Sequence, residues 1–143
     1  GIVKNIPTGD VFTAEKYHGS FLNNAPIRVC EVPASEMISS ISLGKNHTLK
    51  AGSLSKKGNV RSLGSASLEM CMVAIGALDY YFVGKNILRV VDIAASTLIV
   101  KEAGGFVKTL SGEDLDMGFN LEERTSVLAA CSEKLIADLI SKA

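Results

Sequence analysis

From Ser35 onward, apolar residues recur at helical spacing in three places, and strand-like runs separate those places from one another. Leu68, Cys71, Met72 and Ile75 follow at three- and four-residue steps, which lays them on one face of a helix from about Ser65 to Ile75, stopped by Gly76. Ala95, Leu98, Ile99 and Glu102 repeat that spacing after Asp92, and Gly104-Gly105 offers the left-handed exit that helices commonly use. Leu135, Ile136, Leu139 and Ile140 stand behind Ser132, a good N-cap. Between these segments "LDYYFV", "GFVKTL" and "TSVLAAC" read as strands, the last apolar through its second half, as a strand covered on both faces should be. Alternation of the two periods predicts α/β layering.

The opening of the chain has another texture. In "GIVKNIPTGDVFTAEKYHGSFLNNAPIRVCEV" short β-rich runs are broken by the turn-forming clusters "PTGD" and "NNAP", so residues 2–32 predict a meander of strands at the edge of a sheet. An apolar stretch, "MISSISLG", and a polar connection, "AGSLSKKGN", lead from there into the alternating part. With 143 residues, 47% of them hydrophobic, one substantial core can be buried. Fifteen Lys+Arg balance fifteen Asp+Glu without a block of like charge, which argues against a nucleic-acid or anionic-membrane partner. No apolar run approaches the roughly 18 residues of a spanning helix and no charged-then-apolar leader is visible, so the expectation is a cytoplasmic protein. Cys30, Cys71 and Cys131, odd in number and scattered, read as small buried hydrophobes in a reducing compartment.

Two stretches fall where a strand gives way to a helix: "RSLGSAS" (residues 61–67) and "LRVVDIAAS" (residues 88–96). Ligands collect at that edge of an open α/β sheet, because helix N-termini offer unpaired N–H groups and about half a positive charge. Gly64, Ser65 and Ala66 leave the backbone open to an anion, and such small residues serve equally to let a helix pack tightly on a sheet. Asp92 has two explanations as well, a helix cap or a metal ligand. Arg89, three residues earlier, reads either as a contact for an anionic ligand or as a solvated rim residue, and Lys85 has the same two readings. Asp114 and Asp116 in "GEDLDMG" read as a solvated turn, and the isolated His18 and His47 as surface or turn residues. "LGSASLEM" carries only the first glycine of a dinucleotide-binding fingerprint, which sets that class aside.

Taken in order, "RSLGSASLEMCMVAIGALDYYF" and "VVDIAASTLIVKEAGGFV" resemble the C-terminal half of the inositol monophosphatase family of magnesium-dependent, lithium-sensitive sugar phosphatases. The likeness is greater to its archaeal inositol monophosphatase/fructose-1,6-bisphosphatase branch. The second stretch is similar to the family's C-terminal signature throughout: a hydrophobic residue, Asp, small residues, an apolar run, then Glu-Ala-Gly-Gly. The resemblance implies a three-layer α/β/α sandwich for residues 33–143, and for residues 1–32 a β-hairpin or meander completing the sheet of a missing N-terminal half. It implies that Asp92 is a catalytic Mg²⁺ ligand and that Gly64, Ser65 and Ala66 form a substrate-binding turn, with Arg89 a further substrate contact. The implied chemistry is hydrolysis of inositol monophosphate and/or fructose 1,6-bisphosphate by metal-activated water, with Li⁺ inhibition. The family's other metal ligands, an earlier glutamate and an Asp-Pro-x-Asp-Gly-Thr motif, belong upstream of Gly1, and Val91 stands where an aromatic often precedes the aspartate. The 143-residue chain alone is therefore expected to be inactive, with the missing N-terminal half as its partner. Unpaired strand edges in residues 1–32 add the expectation of a homodimer. The alternative is a non-catalytic interaction or regulatory domain that retains the fold.

Overall fold

Turn chemistry divides the first segment into four short strands: β1 (Ile2–Lys4), β2 (Val11–Glu15), β3 (Gly19–Leu22) and β4 (Ala25–Ile27). They pair antiparallel in the order β1-β2-β3-β4. Asn23 and Asn24 both take positive φ (50° and 67°), and Leu22 pairs directly with Ala25, which makes "NN" a two-residue hairpin of the kind asparagine favours. Phe12 and Ala14 on β2 point to one side and are buried. The computed structural model of the chain describes residues 1–33, 35–42 and 59–141, without the side chain of Lys85. His47 and nearly all of the polar connection at 51–59 lie outside the described residues.

The second sheet is built from β5 (Ile38–Ser42), β6 (Asn59–Arg61), β7 (Tyr80–Leu88), β8 (Phe106–Lys108) and β9 (Thr125–Ala130). Its order is β6-β5-β7-β9-β8. β5 runs parallel to β6 and to β7, while β9 runs antiparallel to both β7 and β8. Strand alternation sends Tyr81, Val83, Val127 and Ala129 to one face and Tyr80, Phe82, Leu128 and Ala130 to the other. All of β9 beyond Thr125 is buried, as expected for a strand covered on both sides. β7 continues past "LDYYFV" through "GKNIL", with a register shift against β9 between Val83 and Leu88.

Helices α1 (Ala66–Ala74) and α2 (Val90–Glu102) cover the first face, and α3 (Glu133–Ile140) covers the second. The α/β/α sandwich is thus present, and the meander adds a layer: Phe12 and Ala14 join the core cluster that also holds Met70, Val73, Ile93 and Ile99 of α1 and α2. Among the described residues the meander is a four-stranded sheet of its own, not hydrogen-bonded to the second sheet. Helices lying between two sheets are apolar on more than one side. For that reason the single-face reading holds for α3, where Leu135, Ile136 and Leu139 are buried behind the Ser132 cap, and is incomplete for the other two. In α1 the buried residues are Glu69, Met70, Cys71, Val73 and Ala74, and in α2 they are Val90, Ile93, Ser96, Ile99 and Val100. α2 ends as expected: Gly104 takes φ +86°, and the N–H groups of Gly104 and Gly105 donate to the carbonyls of Lys101 and Val100.

Cys71 and Cys131 are buried thiols, pushed up by desolvation to about 12 and about 11 respectively. Cys30 departs from expectation and is exposed, in the stretch that leaves the meander, where Val29 N–H donates to the Ala103 carbonyl. No helix among the described residues is long and apolar enough to cross a membrane.

Candidate functional site

The N-terminal ends of α1 and α2 meet at the carboxyl edge of the parallel strands. α1 follows β6 and α2 follows β7, and both strands flank β5 in parallel, so each helix begins at that edge. The Ser67 hydroxyl, in the first turn of α1, donates to the backbone carbonyl of Asp92 in the first turn of α2 (3.1 Å). That bond brings together the two stretches singled out in the sequence. The turn of Gly64, Ser65 and Ala66 and the acid Asp92 therefore belong to one neighbourhood.

Gly64 takes φ +78° and is exposed, with nothing within 4 Å of where a Cβ would stand. A left-handed backbone, rather than crowding, is what requires glycine there. Ser65 is the N-cap residue of α1, and its hydroxyl makes no cap hydrogen bond. The first N–H groups of a helix have no partner within the helix, so the backbone of this turn presents donors at the positive end of α1.

Asp92 is neither a simple N-cap nor a free carboxylate. α2 starts two residues earlier than the acid, with Arg89 as the N-cap residue, and Asp92 occupies the third helical position. From there its Oδ2 accepts the Arg89 N–H at 2.8 Å, the back-reaching half of a capping box. The Arg89 guanidinium lies 3.4 Å from both carboxylate oxygens. The Arg89 N–H foremost, then the Arg89 and Arg124 guanidinium groups, hold the Asp92 carboxyl below its ordinary value against a raising contribution from burial. Arg89 is accordingly an exposed residue paired with Asp92, and reaching a substrate phosphate would require it to leave that pair. Val91 is exposed on the adjacent helical position.

Sequence reasoning missed the residue that organises the turn. Glu69 is 2% exposed. Its Oε1 accepts from the Ser40 hydroxyl (2.8 Å), the Leu63 N–H (2.6 Å) and the Gly64 N–H (3.3 Å), and the Tyr81 hydroxyl is also hydrogen-bonded to it. Burial foremost, then the Glu69 charge, push the Tyr81 hydroxyl up. The signal available in the sequence was an acid inside the apolar run "SLEMCMVA", four residues after a serine at a helix start.

Asp114, Asp116 and His18 make no hydrogen bond to the turn or to Asp92 among the described residues, although Asp116 lines a cavity with Val90 and Ile93 of α2. Asp114 pairs with Lys108 at 3.1 Å and Asp116 is exposed, in keeping with a solvated turn. His18 is exposed in the β2–β3 turn, its N–H donating to the Glu15 carbonyl. Among the described residues no group of three or more His, Cys, Asp or Glu side chains could hold a metal ion. A hard divalent cation needs several oxygen ligands, so Asp92 by itself does not make a Mg²⁺ site. What the arrangement offers is two helix N-termini, one ionised carboxylate and an open glycine turn, the elements that receive an anion beside a cation.

The sequence profile described as the inositol monophosphatase family matches residues 1–143. The fructose-1,6-bisphosphatase of Pyrococcus furiosus is 38% identical over 124 residues, covering 86% of this chain and 47% of that protein. The fructose-1,6-bisphosphatase/inositol-1-monophosphatase of Methanothermobacter thermautotrophicus is 38% identical over 135 residues, covering 91% of this chain and 47% of its own length. A crystal structure of an inositol monophosphatase-fructose 1,6-bisphosphatase superposes with a TM-score of 0.92 at 30% identity, over 100% of this chain and 56% of that one. The chain thus spans about half the length of the curated relatives it matches. With the profile match running from the first strand to the last helix, and the helix-start turn and carboxylate set side by side within it, the chain belongs to the inositol monophosphatase family.

Proposed function

We propose that this chain is the C-terminal half of a phosphomonoesterase acting on a phosphorylated small molecule, inositol monophosphate and/or fructose 1,6-bisphosphate, and that it contributes one side of a Mg²⁺-dependent site. The observation that carries the reading is the bond from the Ser67 hydroxyl to the Asp92 backbone carbonyl, which ties the first turn of α1 to the first turn of α2 and so brings the small-residue turn and Asp92 to the same end of the parallel strands. Asp92 supplies one metal ligand, and the remaining ligands come from the N-terminal half. The turn of Gly64, Ser65 and Ala66 receives the substrate's polar groups, with the Ser65 and Ala66 N–H groups as donors because the Gly64 N–H is held by Glu69, and Arg89 contacts it once released from Asp92. When bound, Mg²⁺ supplies a polarised water and neutralises charge on phosphate oxygens. The order of the motifs supports the C-terminal placement, because the Glu-Ala-Gly-Gly signature closes α2 here while no Asp-Pro-x-Asp-Gly sequence occurs in the chain. Li⁺ inhibition and a cytoplasmic location belong to the same reading.

The test is an assay of the 143-residue chain and of a protein extended by the N-terminal half, on inositol 1-phosphate and fructose 1,6-bisphosphate with Mg²⁺ and with EDTA. Mg²⁺-dependent turnover only in the longer protein, lost in Asp92→Asn, is the expected result. Turnover by the short chain that vanishes in Asp92→Asn would overturn the half-site. No turnover in either protein would leave a non-catalytic binding domain as the better reading.

A further inference from the structure

A buried carboxylate is costly unless its lone pairs are filled, and Glu69 fills them with unusual partners. Two of its donors, the Leu63 and Gly64 N–H groups, come from the residue before the helix-start turn and from the first residue of that turn, and two are side-chain hydroxyls from neighbouring strands, Ser40 on β5 and Tyr81 on β7. Ser65, which a helix start would ordinarily use as its clamp, makes no cap bond. The grip on this turn therefore comes from inside the sheet, through Glu69.

We infer that Glu69 is the positioning residue of the substrate-binding turn: it draws the Leu63 and Gly64 N–H groups inward, fixes Gly64 in its left-handed conformation, and so aims the following N–H groups at the start of α1 outward to the substrate. This rests on the phosphomonoesterase reading above. With the Leu63 and Gly64 N–H groups taken by the carboxylate, the N–H groups left for a ligand are those that follow at the start of α1, which have no partner within the helix. The negative charge lies on the protein side of the turn, where four hydrogen bonds disperse it, and the anion would approach from the exposed side of Gly64. Charge-assisted bonds of this kind are stronger than those to a neutral amide. Glu69→Gln keeps the shape and an acceptor oxygen while removing the charge, so it loosens the turn without emptying the space.

Two measurements test the inference. The first compares amide spectra of the 143-residue chain and its Glu69→Gln variant. The Leu63 and Gly64 amide protons are expected to move upfield and exchange faster with solvent, and unchanged signals at both positions would overturn the anchoring. The second measures Mg²⁺-dependent hydrolysis of inositol 1-phosphate by the longer protein. Glu69→Gln is expected to raise KM about tenfold while kcat stays within about twofold, since what is lost is a charge-assisted hold on a binding element. A fall in kcat with unchanged KM would mark Glu69 as a fold residue only and would overturn its role toward substrate. If the wild-type longer protein shows no turnover at all, the phosphomonoesterase reading fails and takes the substrate role with it, while the amide comparison still decides the anchoring.

Discussion

Replacing Asp92 separates its two roles, because one is visible in stability and the other in catalysis. In the folded chain its carboxylate accepts the Arg89 N–H at 2.8 Å, sits in the first turn of α2, and faces the Arg89 guanidinium at 3.4 Å. Asp92→Ala removes the acceptor, worth about 1 kcal/mol, and the favourable charge at a helix start, worth about 0.5 kcal/mol. Asp92→Asn keeps an acceptor and loses only the charge, so about 0.5 kcal/mol. The exposed guanidinium pair adds little to either figure. In a domain of this size 1 kcal/mol corresponds to about 4 °C in Tm, which gives losses of about 6 °C for Ala and about 2 °C for Asn. Thermal unfolding followed by far-ultraviolet circular dichroism at pH 7 reads both. The pH dependence has a definite sign. A folded pKa lowered from 3.8 means that the contribution of the charged form is complete above that value and is lost as pH falls through the lowered one. The gap between wild type and Asp92→Asn should therefore close in acid. A rise in Tm for Asp92→Ala would refute this reasoning, because it would show a carboxylate that costs the fold stability and is kept for a ligand alone.

Gly105→Ala should destabilise by about 1–3 kcal/mol through overpacking, since a Cβ there would stand 2.8 Å from Val100 Cγ1, 2.9 Å from Val29 Cγ1 and 3.1 Å from the Ala130 carbonyl; chemical denaturation measures it. Glu102→Gln should speed exchange of the Tyr17 and Gly19 amides, which donate to its two oxygens at 3.0 Å, and leave α3 amides unchanged in the same hydrogen-exchange experiment. Met70→Ala, at a fully buried site where the Ser96 hydroxyl approaches the sulfur at 3.4 Å, should cost about 2–5 kcal/mol by the same denaturation assay. β1 and β4 are the two edges of the meander sheet, and sedimentation at rising concentration should show self-association; a strictly monomeric profile would count against pairing through residues 1–32.

Periodicity located α1, α2 and α3, and turn residues located the meander, because those signals are local. The two stretches at the strand-to-helix junctions were legible for the same reason, each being a run of small residues or a lone acid at a predicted helix start. What could not be read depends on partners distant in sequence. An acid inside an apolar run marks Glu69 as unusual, but its role is not readable until Ser40 and Tyr81, on two different strands, are known to meet it. The start of α2 at Val90, rather than after Asp92, followed from β7 running on through Leu88, and nothing in "GKNIL" distinguishes a long strand from a loop. The burial of α1 on several sides required knowing that a second sheet lies over it. Cys30 read as buried because scattered cysteines usually are, yet it is exposed in the stretch that connects the two sheets, next to Val29, which does pack against the core.

α2 has a property that bears on inheritance. Its first turn carries Asp92 and its last carries Glu102, whose oxygens hold the β2–β3 turn at Tyr17 and Gly19. Thirteen residues spanning about 20 Å thus encode both a carboxylate at the sheet edge and the fastening of the meander. A recombination breakpoint inside this helix would part the two, while breakpoints on either side would pass them on together. The segment from Val90 to Glu102 is the smallest unit that a descendant could acquire without having to reinvent one end of it.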